Sequence, residues 1–240
     1  MLVYDIEVYP NLFLVCFQNP LNNKRYIFEI SPWKDNRKEL YFFLKSCKED
    51  NVTLIGFNNL EYDWLILRKF IRIPKKKQQE LNKLIFLESQ KVINTRMFDF
   101  NPEVKQLDLR KIHHYDNVAK MTSLKLLEFN MGMESIEDLP YRFDKELTRQ
   151  ERDEIISYCW NDVEATSMFY EHTKSKIKFR ERMSEIYDVD FTNANDVKIG
   201  ETILLKALAK GWNQEEKDIK RLRTHRESME VKDIILPYIT

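Results

Sequence analysis

The N-terminal segment constrains the fold of this chain more than any other stretch, because it places two acids inside an apolar run. Its sequence is Leu2-Val3-Tyr4-Asp5-Ile6-Glu7-Val8-Tyr9-Pro10. The β-branched and aromatic residues predict a buried β-strand. Side chains alternate between the two faces of a strand, so Asp5 and Glu7 share one face with Val3. The opposite face carries Leu2, Tyr4, Ile6 and Val8.

Two carboxylates held close together on one strand face repel each other and shift each other's pKa. A divalent cation between them removes this repulsion, since hard cations bind carboxylate oxygens. The segment therefore predicts a metal site at Asp5 and Glu7. The pattern is short, however, and the chain repeats it at Asp144–Glu146 and Asp162–Glu164.

The composition supports one large domain, or a domain with an appendage. The chain has 240 residues, of which 43% are hydrophobic, and this is enough for a sizeable core. Its 39 Lys and Arg residues balance its 39 Asp and Glu residues, so the net charge gives no general attraction to polyanions. Local basic clusters at Lys75–Lys77, Lys174–Arg182 and Lys217–Arg226 suit either nucleic-acid binding or solvated helix faces.

Cysteine usage and hydropathy predict a cytoplasmic protein without a membrane segment. Cys16, Cys47 and Cys159 form neither a metal-binding spacing nor an even set for disulfides, which is typical of a reducing intracellular environment. No apolar run is long enough to cross a bilayer. The chain starts directly in the predicted strand, so we expect no signal peptide.

The order of the predicted elements indicates an α/β fold in which helices flank a mixed β-sheet. The first half of the chain predicts three strands, a helix, a strand and a helix, at Leu2–Tyr9, Leu12–Phe17, Arg25–Ile30, Arg37–Lys48, Val52–Phe57 and Trp64–Ile71. Four further elements are predicted to follow. They are a helix at Lys75–Lys91, short strands at Arg96–Phe100 and Gln106–Leu109, and a helix at Ser123–Asn130 with Gly132 near its end.

The last third of the chain is predicted to be mostly helical. A capping box at Thr148–Glu151 starts a long helix that we expect to end near His172. A further helix, Asp196–Lys210, is expected to stop at Gly211. Because charge density rises over Lys174–Asp190, we expect a domain at residues 1–175 and a helical C-terminal extension at 176–240.

A second acidic element has the pattern Asn58-x-x-x-Tyr62-Asp63. It follows the predicted strand Val52–Phe57, at a strand end where α/β sheets place ligand sites. The same pattern ends at Asp99, but there it lies between irregular polar segments, so we favour Asp63. Helix N-capping is the alternative role for Asn58 and Asp63.

A third element, Tyr158-x-x-x-Asp162, falls within the long predicted helix. Residues four apart share a helix face, so the phenol and the carboxylate project together. Ile155, Cys159 and Val163 form a neighbouring apolar surface, which places Asp162 near the edge of the core. A carboxylate there needs a partner, and a metal ion would serve. The alternative is an exposed pair on a solvated helix face.

Together, Asp5-Ile6-Glu7, Asn58–Tyr62–Asp63 and Tyr158–Asp162 resemble the three exonuclease motifs of the DEDD superfamily, tyrosine subtype. They occur in the family's order. The chain is most similar to the 3′–5′ proofreading exonuclease domains of family B and phage-type DNA polymerases, and Gln106–Leu109 and Ser123–Leu127 also resemble segments of such phage proteins. The resemblance covers residues 1–172 and implies an RNase H-like sheet.

The resemblance implies a two-metal site with Mg²⁺ or Mn²⁺ as the ions. By analogy, Asp5, Glu7 and Asp162 hold the metal that activates water. Asp5 bridges to the second metal, which Asp63 supports. Two such metals lower the pKa of water and stabilise the entering and leaving oxygens of a phosphodiester. The resemblance implies no catalytic role for two further acids, Asp99 and Asp108.

The resemblance also implies residues that contact the substrate. Tyr158 orients the attacking water, and Asn58 contacts the substrate strand near the scissile phosphate. Phe57, Tyr62 and Trp64 lie beside the second motif, where they either stack on terminal bases or belong to the core.

These features predict a metal-dependent 3′–5′ exonuclease that acts on single-stranded DNA ends. Its expected partners are a single-stranded DNA 3′ end and a DNA polymerase domain or another replication protein. Its expected location is the cytoplasm, which is the host cytoplasm for a phage-encoded protein. The alternatives are an RNA 3′–5′ exonuclease with the same site, and an inactive nucleic-acid-binding or scaffold module of the same fold.

Overall fold

A five-stranded mixed β-sheet forms the centre of the computed structural model, which describes residues 1–73, 80–95, 99 and 101–221. The strands are β1 (Leu2–Tyr9), β2 (Leu12–Gln18), β3 (Arg25–Ile30), β4 (Leu54–Gly56) and β5 (Gln106–Asp108). The helices are α1 (Arg37–Glu49), α2 (Asp63–Arg72), α3 (Leu81–Thr95), α4 (Leu109–Ile112), α5 (Leu124–Met131), α6 (Arg149–Tyr187), α7 (Asp196–Trp212) and α8 (Glu216–Arg221). The predicted α/β class with helices flanking a mixed sheet is confirmed.

The acid-bearing strand β1 lies in the middle of the sheet, whose strand order is β3-β2-β1-β4-β5. It pairs antiparallel with β2, in a register that sets Asp5 opposite Cys16, and parallel with β4. Because of this central position, β1 is hydrogen-bonded on both edges and its side chains are fixed on two defined faces.

Each face of the sheet packs against its own apolar cluster. One cluster joins Tyr4 and Ile6 to side chains of α1, α2 and α3. The other joins Val3 to Ile155 and Cys159 of α6. The predicted alternation along β1 is therefore confirmed, and it turns Asp5 and Glu7 towards α6.

Several element ends differ from the sequence predictions. The strand expected at Val52–Phe57 is shortened to Leu54–Gly56. Leu109 begins α4 rather than ending a strand, because the Asp108 side chain caps that helix by accepting the Arg110 and Lys111 backbone N–H groups. Two expected elements are described only in part. Residues 75–79 of the helix expected at Lys75–Lys91 lie outside the described residues, as does the strand expected at Arg96–Phe100 except for Asp99.

The long helix α6 does not end near His172, as expected from the sequence, but continues to Tyr187. The last four turns keep a buried face with Ile177 and Arg180, so the charged residues between them occupy the outer faces without ending the helix. The capping box at its start is confirmed, since Thr148 and Glu151 exchange side-chain to backbone hydrogen bonds.

The described chain divides into two compact units, Met1–Asp196 and a second unit that begins at Val197. The continuous helix α6 passes through residue 175, where the sequence suggested a boundary. In the second unit, Gly211 lies inside α7 rather than after it. Asn213 adopts the left-handed conformation that ends the helix, with φ +49°.

None of the described helices is both long enough and apolar enough to cross a lipid bilayer.

Candidate metal centre

Asp5 and Glu7 of β1 meet Asp162 of α6 at the face of the sheet. One carboxylate oxygen from each of these three residues lies within 4.8 Å of the other two, and all three residues are half-buried. Strand alternation supplies two members and the inner face of α6 supplies the third. The structure thus brings together three of the four acids predicted to bind metal.

Asp63, the fourth acid, is the first residue of α2 and is 6% exposed. Its carboxylate accepts a hydrogen bond from the Ile6 backbone N–H, which links α2 to β1. After burial, the Asp63 carboxylate is the strongest cause that raises the pKa of Asp5. Asp63 therefore lies beside the group of three, although it is not one of the acids whose oxygens all lie within 4.8 Å of one another.

The four acids raise one another's pKa values. Burial, followed by neighbouring carboxylates, holds the pKa of Asp5 and Glu7 well above the usual range. Burial raises the pKa of both Asp63 and Asp162 to about 7, with Asp108 and Glu128 as the leading neighbouring charges. In the absence of a bound cation, these four carboxyl groups therefore retain protons close to neutral pH.

No Lys or Arg among the described residues forms an ion pair with any of the four acids. Buried carboxylates need a compensating partner, and all four groups offer oxygen ligands of the kind that Mg²⁺ and Mn²⁺ bind. The donor set therefore fits divalent cations held by Asp5, Glu7, Asp162 and Asp63.

Tyr158 lies one turn before Asp162 on the same face of α6, and its hydroxyl hydrogen-bonds to the Asp162 carboxylate. Both residues are half-buried, so the alternative of an exposed pair on a solvated face is wrong. Burial, followed by the charges of Asp162, Glu7 and Asp5, raises the pKa of Tyr158 above its usual value. The phenol consequently remains protonated at neutral pH.

Asn58 lies in the turn between β4 and α2, with a left-handed backbone at φ +70°. Its backbone N–H donates to Asp108, and its Oδ1 accepts from Arg110 Nη1 at 2.5 Å. Tyr62 occupies the N-cap position of α2, and Asp63 is already helical. The N-capping alternative for Asn58 and Asp63 is therefore wrong.

The aromatic residues beside the second motif differ in burial. Trp64 is fully buried, and its Nε1 donates to Asp99 at 2.9 Å, so this residue belongs to the core. Tyr62 packs partly against the same cluster, and its hydroxyl bonds to Ser89 of α3. Phe57 is half-buried and meets Phe169 edge to face at 6.2 Å. Base stacking by Phe57 and Tyr62 stays a prediction.

Asp99 and Asp108, the two acids without an implied catalytic role, have different surroundings. Asp99 pairs with Arg68 at 2.7 Å, and its second partner is the Trp64 indole. Asp108 is fully buried at the end of β5 and accepts backbone hydrogen bonds from Asn58 and Leu60. Asp99 therefore supports the core, whereas Asp108 contacts the turn that leads to Asp63.

Glu128 of α5 is a neighbour of the site that the sequence interpretation missed. It is 2% exposed and is the leading charge that raises the pKa of Asp162. Asn161 of α6 donates to it at 3.4 Å. The helical spacing contained a signal, because Glu128 follows Leu124 by four residues and precedes Met131 by three, on the inner face of α5.

Comparisons with models of protein families, with curated proteins and with solved structures give no match. A fold class hosts many unrelated activities, so the chemistry of the side chains at the site, and not the fold, bears on function. Here those side chains are four acids and one tyrosine.

Proposed function

We propose that this chain is a metal-dependent 3′–5′ exonuclease with an RNase H-like fold that hydrolyses single-stranded DNA ends. The observation that carries the proposal is the meeting of Asp5, Glu7 and Asp162, with Asp63 and Tyr158 beside them. These residues come from three separate sequence motifs. Their convergence on one site supports the family resemblance of those motifs.

Asp5, Glu7 and Asp162 would hold one divalent cation, and Asp63 would support a second one next to Asp5. When bound, the two cations supply the positive charge that lowers the pKa of water and stabilises the entering and leaving phosphodiester oxygens. The carboxylates must be deprotonated to bind metal. Since the pKa of Asp63 and of Asp162 is about 7, metal binding should release protons at neutral pH.

Tyr158 acts in this proposal as a hydrogen-bond donor and not as a general base. Its raised pKa keeps the phenol protonated, and its hydroxyl already lies against the Asp162 carboxylate. A protonated phenol at this place can orient water or a phosphate oxygen by hydrogen bonding. Asn58, Phe57 and Tyr62 are the proposed contacts to the substrate strand.

The polarity of digestion and the preference for DNA follow from the family resemblance. Matched RNA oligomers distinguish the alternative RNA exonuclease, because a protein that acts on RNA must accept or recognise the 2′-hydroxyl. A DNA polymerase domain or another replication protein remains the proposed partner.

A 5′-labelled single-stranded oligonucleotide tests the proposal directly. With Mg²⁺ or Mn²⁺, we expect stepwise shortening from the 3′ end, and chelation with EDTA should stop it. Asp162→Asn should abolish shortening. Asp99→Asn is the matched control, since Asp99 is also a buried acid but pairs with Arg68 and Trp64. Absence of shortening, or shortening that survives Asp162→Asn, would refute the proposed activity.

A further inference from the structure

The Asp108 carboxylate joins β5 to the turn between β4 and α2. Asp108 has no solvent exposure. Its Oδ1 accepts from the Asn58 backbone N–H at 3.0 Å, and its Oδ2 accepts from the Leu60 N–H at 3.2 Å. Carboxylates that accept backbone N–H groups form charge-assisted hydrogen bonds, which are stronger than neutral ones. Both oxygens therefore hold the same turn.

Arg110, two residues later, holds the side chain of the same turn. Its Nη1 donates to the Asn58 Oδ1 at 2.5 Å. This bond assigns the oxygen of the Asn58 carboxamide to Arg110 and directs the amide nitrogen away from it. Asn58 also has φ +70°, a conformation that a non-glycine residue keeps only where its surroundings hold it.

The end of β5 is itself anchored from the opposite side by Asn193. The Asn193 Oδ1 accepts from the Asp108 backbone N–H at 2.7 Å, and its Nδ2 donates to the Gln106 carbonyl at 2.9 Å. One side-chain amide thus takes the place of a neighbouring strand along the open edge of β5. Asp108 consequently presents its carboxylate from a fixed backbone.

The turn held by Asp108 leads directly to Asp63. The turn also packs closely upon itself, since a Cβ placed on Gly56 would lie 2.6 Å from the Cβ of Asn59. A displacement of Asn58 or Leu60 would therefore be transmitted to the start of α2, where Asp63 binds the Ile6 N–H and faces Asp5.

We infer that Asp108 is a positioning residue of the metal centre, which acts by holding the Asn58–Leu60 turn so that Asp63 reaches the acids of β1. This inference rests on the proposed metal-dependent function. Asp108 itself would not bind the metal, because its two oxygens are occupied by backbone N–H groups of the turn and of the start of α4. Partners that orient metal ligands in this way typically change metal affinity when they are replaced.

The test compares Asp108→Asn with Asp99→Asn in the full chain. The first variant exchanges one acceptor oxygen for an N–H₂ group that cannot accept a backbone N–H. We expect its affinity for Mn²⁺, measured by calorimetric titration, to fall by about 10–100-fold. We also expect kcat for oligonucleotide shortening to fall while KM stays nearly unchanged. Asp99→Asn should keep the Mn²⁺ affinity and kcat of the wild type.

Hydrogen exchange supplies a second measurement that does not depend on activity. The amides of Asn58 and Leu60 should exchange faster in Asp108→Asn and at the wild-type rate in Asp99→Asn. Should Asp108→Asn not fold, Arg110→Met removes the other contact to the turn from a more accessible position. It should weaken Mn²⁺ binding by a smaller factor than predicted for Asp108→Asn.

The outcomes separate this inference from the proposed activity. If the wild type binds Mn²⁺ but does not shorten DNA, the exonuclease proposal fails, and the Mn²⁺ affinities still decide the role of Asp108. Wild-type Mn²⁺ affinity in Asp108→Asn, or an equal loss in Asp99→Asn, would overturn the positioning role. A wild type that binds no Mn²⁺ would overturn it as well.

Discussion

The hydroxyl of Tyr158 stays protonated at neutral pH, because burial and the neighbouring carboxylates raise its pKa, so it can donate a hydrogen bond in the candidate site. Tyr158→Phe should lower the rate of oligonucleotide shortening on the order of 10²-fold, as the loss of a catalytic hydrogen-bond donor does elsewhere. Mn²⁺ affinity should be retained because all four carboxylates remain. Single-turnover kinetics and calorimetry check the two expectations.

The control for this substitution is Tyr41→Phe, which removes a hydroxyl from an exposed tyrosine of α1. It should leave both quantities unchanged. A wild-type rate in Tyr158→Phe would remove Tyr158 from the reaction, and a loss of Mn²⁺ binding would show that it supports the metal site instead.

Individual side chains also mark the limit of sequence interpretation. The roles of Asp108 and Glu128 depend on partners that lie 50 and 34 residues away, at Asn58 and Asp162. Strand alternation and helical spacing show which face a residue occupies, but they do not show which element covers that face. The pairing of Asp5 with Glu7, and that of Tyr158 with Asp162, was predictable because each depends only on the local periodicity of a strand or a helix.

At the scale of single elements, the second half of α6 depends on the buried residue Arg180. Its guanidinium donates to the carbonyls of Ala194 and Ile112 and pairs with Asp196. Arg180→Met should lower the free energy of unfolding by roughly 2–4 kcal/mol, because it leaves buried carbonyl groups without donors. Urea unfolding measures the effect.

Arg182→Met is the matched control, since Arg182 is exposed on the same helix. It should change stability by less than about 0.5 kcal/mol. Equal effects of the two substitutions would contradict the anchoring role of Arg180. The comparison also divides the predicted basic cluster Lys174–Arg182, because Arg180 is 1% exposed and is not available to bind nucleic acid.

The turn after β4 provides a second prediction at this scale. Gly56→Ala would place a Cβ 2.6 Å from the Cβ of Asn59, which is fully buried. The neighbour must move, and we expect a loss of about 1–3 kcal/mol in the free energy of unfolding, as for other overpacked sites. Thermal unfolding of the variant checks this.

Gly200→Ala offers the contrast, because a Cβ at this glycine of α7 meets nothing within 4 Å. Alanine favours a helix more than glycine does, so this substitution should be neutral or stabilise the protein by up to about 1 kcal/mol. A harmless Gly56→Ala would show that the turn tolerates displacement, and would weaken the argument that its geometry is tightly held.

The lengths of the elements were predictable only where their ends carry local signals. The capping box at Thr148 is of this kind, and it is confirmed. The predicted end of α6 was wrong, because mixed charge after His172 concealed a buried helix face. That face becomes visible only through its partners, since Ile177 joins the same apolar cluster as Ile112 and Arg180 donates to the Ile112 carbonyl. The short strand β4 similarly depends on its pairing with β1 and β5.

At the scale of the whole molecule, the metal-free protein should become more stable on mild acidification. The pKa of Asp63 and of Asp162 is about 7 in the folded chain, above the value of about 4 for an unfolded aspartate. The native state therefore binds more protons between these values. Its stability is fully present below about pH 4 and is lost as the pH rises through 7.

His113 opposes this trend, because burial lowers its pKa to about 4, but it is one group against four carboxylates. With EDTA, the free energy of unfolding should rise by at least about 1 kcal/mol between pH 8 and pH 6. Asp162→Asn should reduce this dependence, and saturating Mn²⁺ should reverse it. A metal-free protein that is more stable at pH 8 than at pH 6 would contradict the raised pKa values.

The distance along the chain between Asp5 and Asp162 has a consequence for biosynthesis. The first acids leave the ribosome long before the helix that completes their site. A nascent chain that ends before Tyr158 holds Asp5, Glu7 and Asp63 but lacks both Tyr158 and the fourth proposed ligand, Asp162, so it cannot assemble the proposed nuclease. Under the proposed function, cleavage activity should thus appear only after α6 has docked.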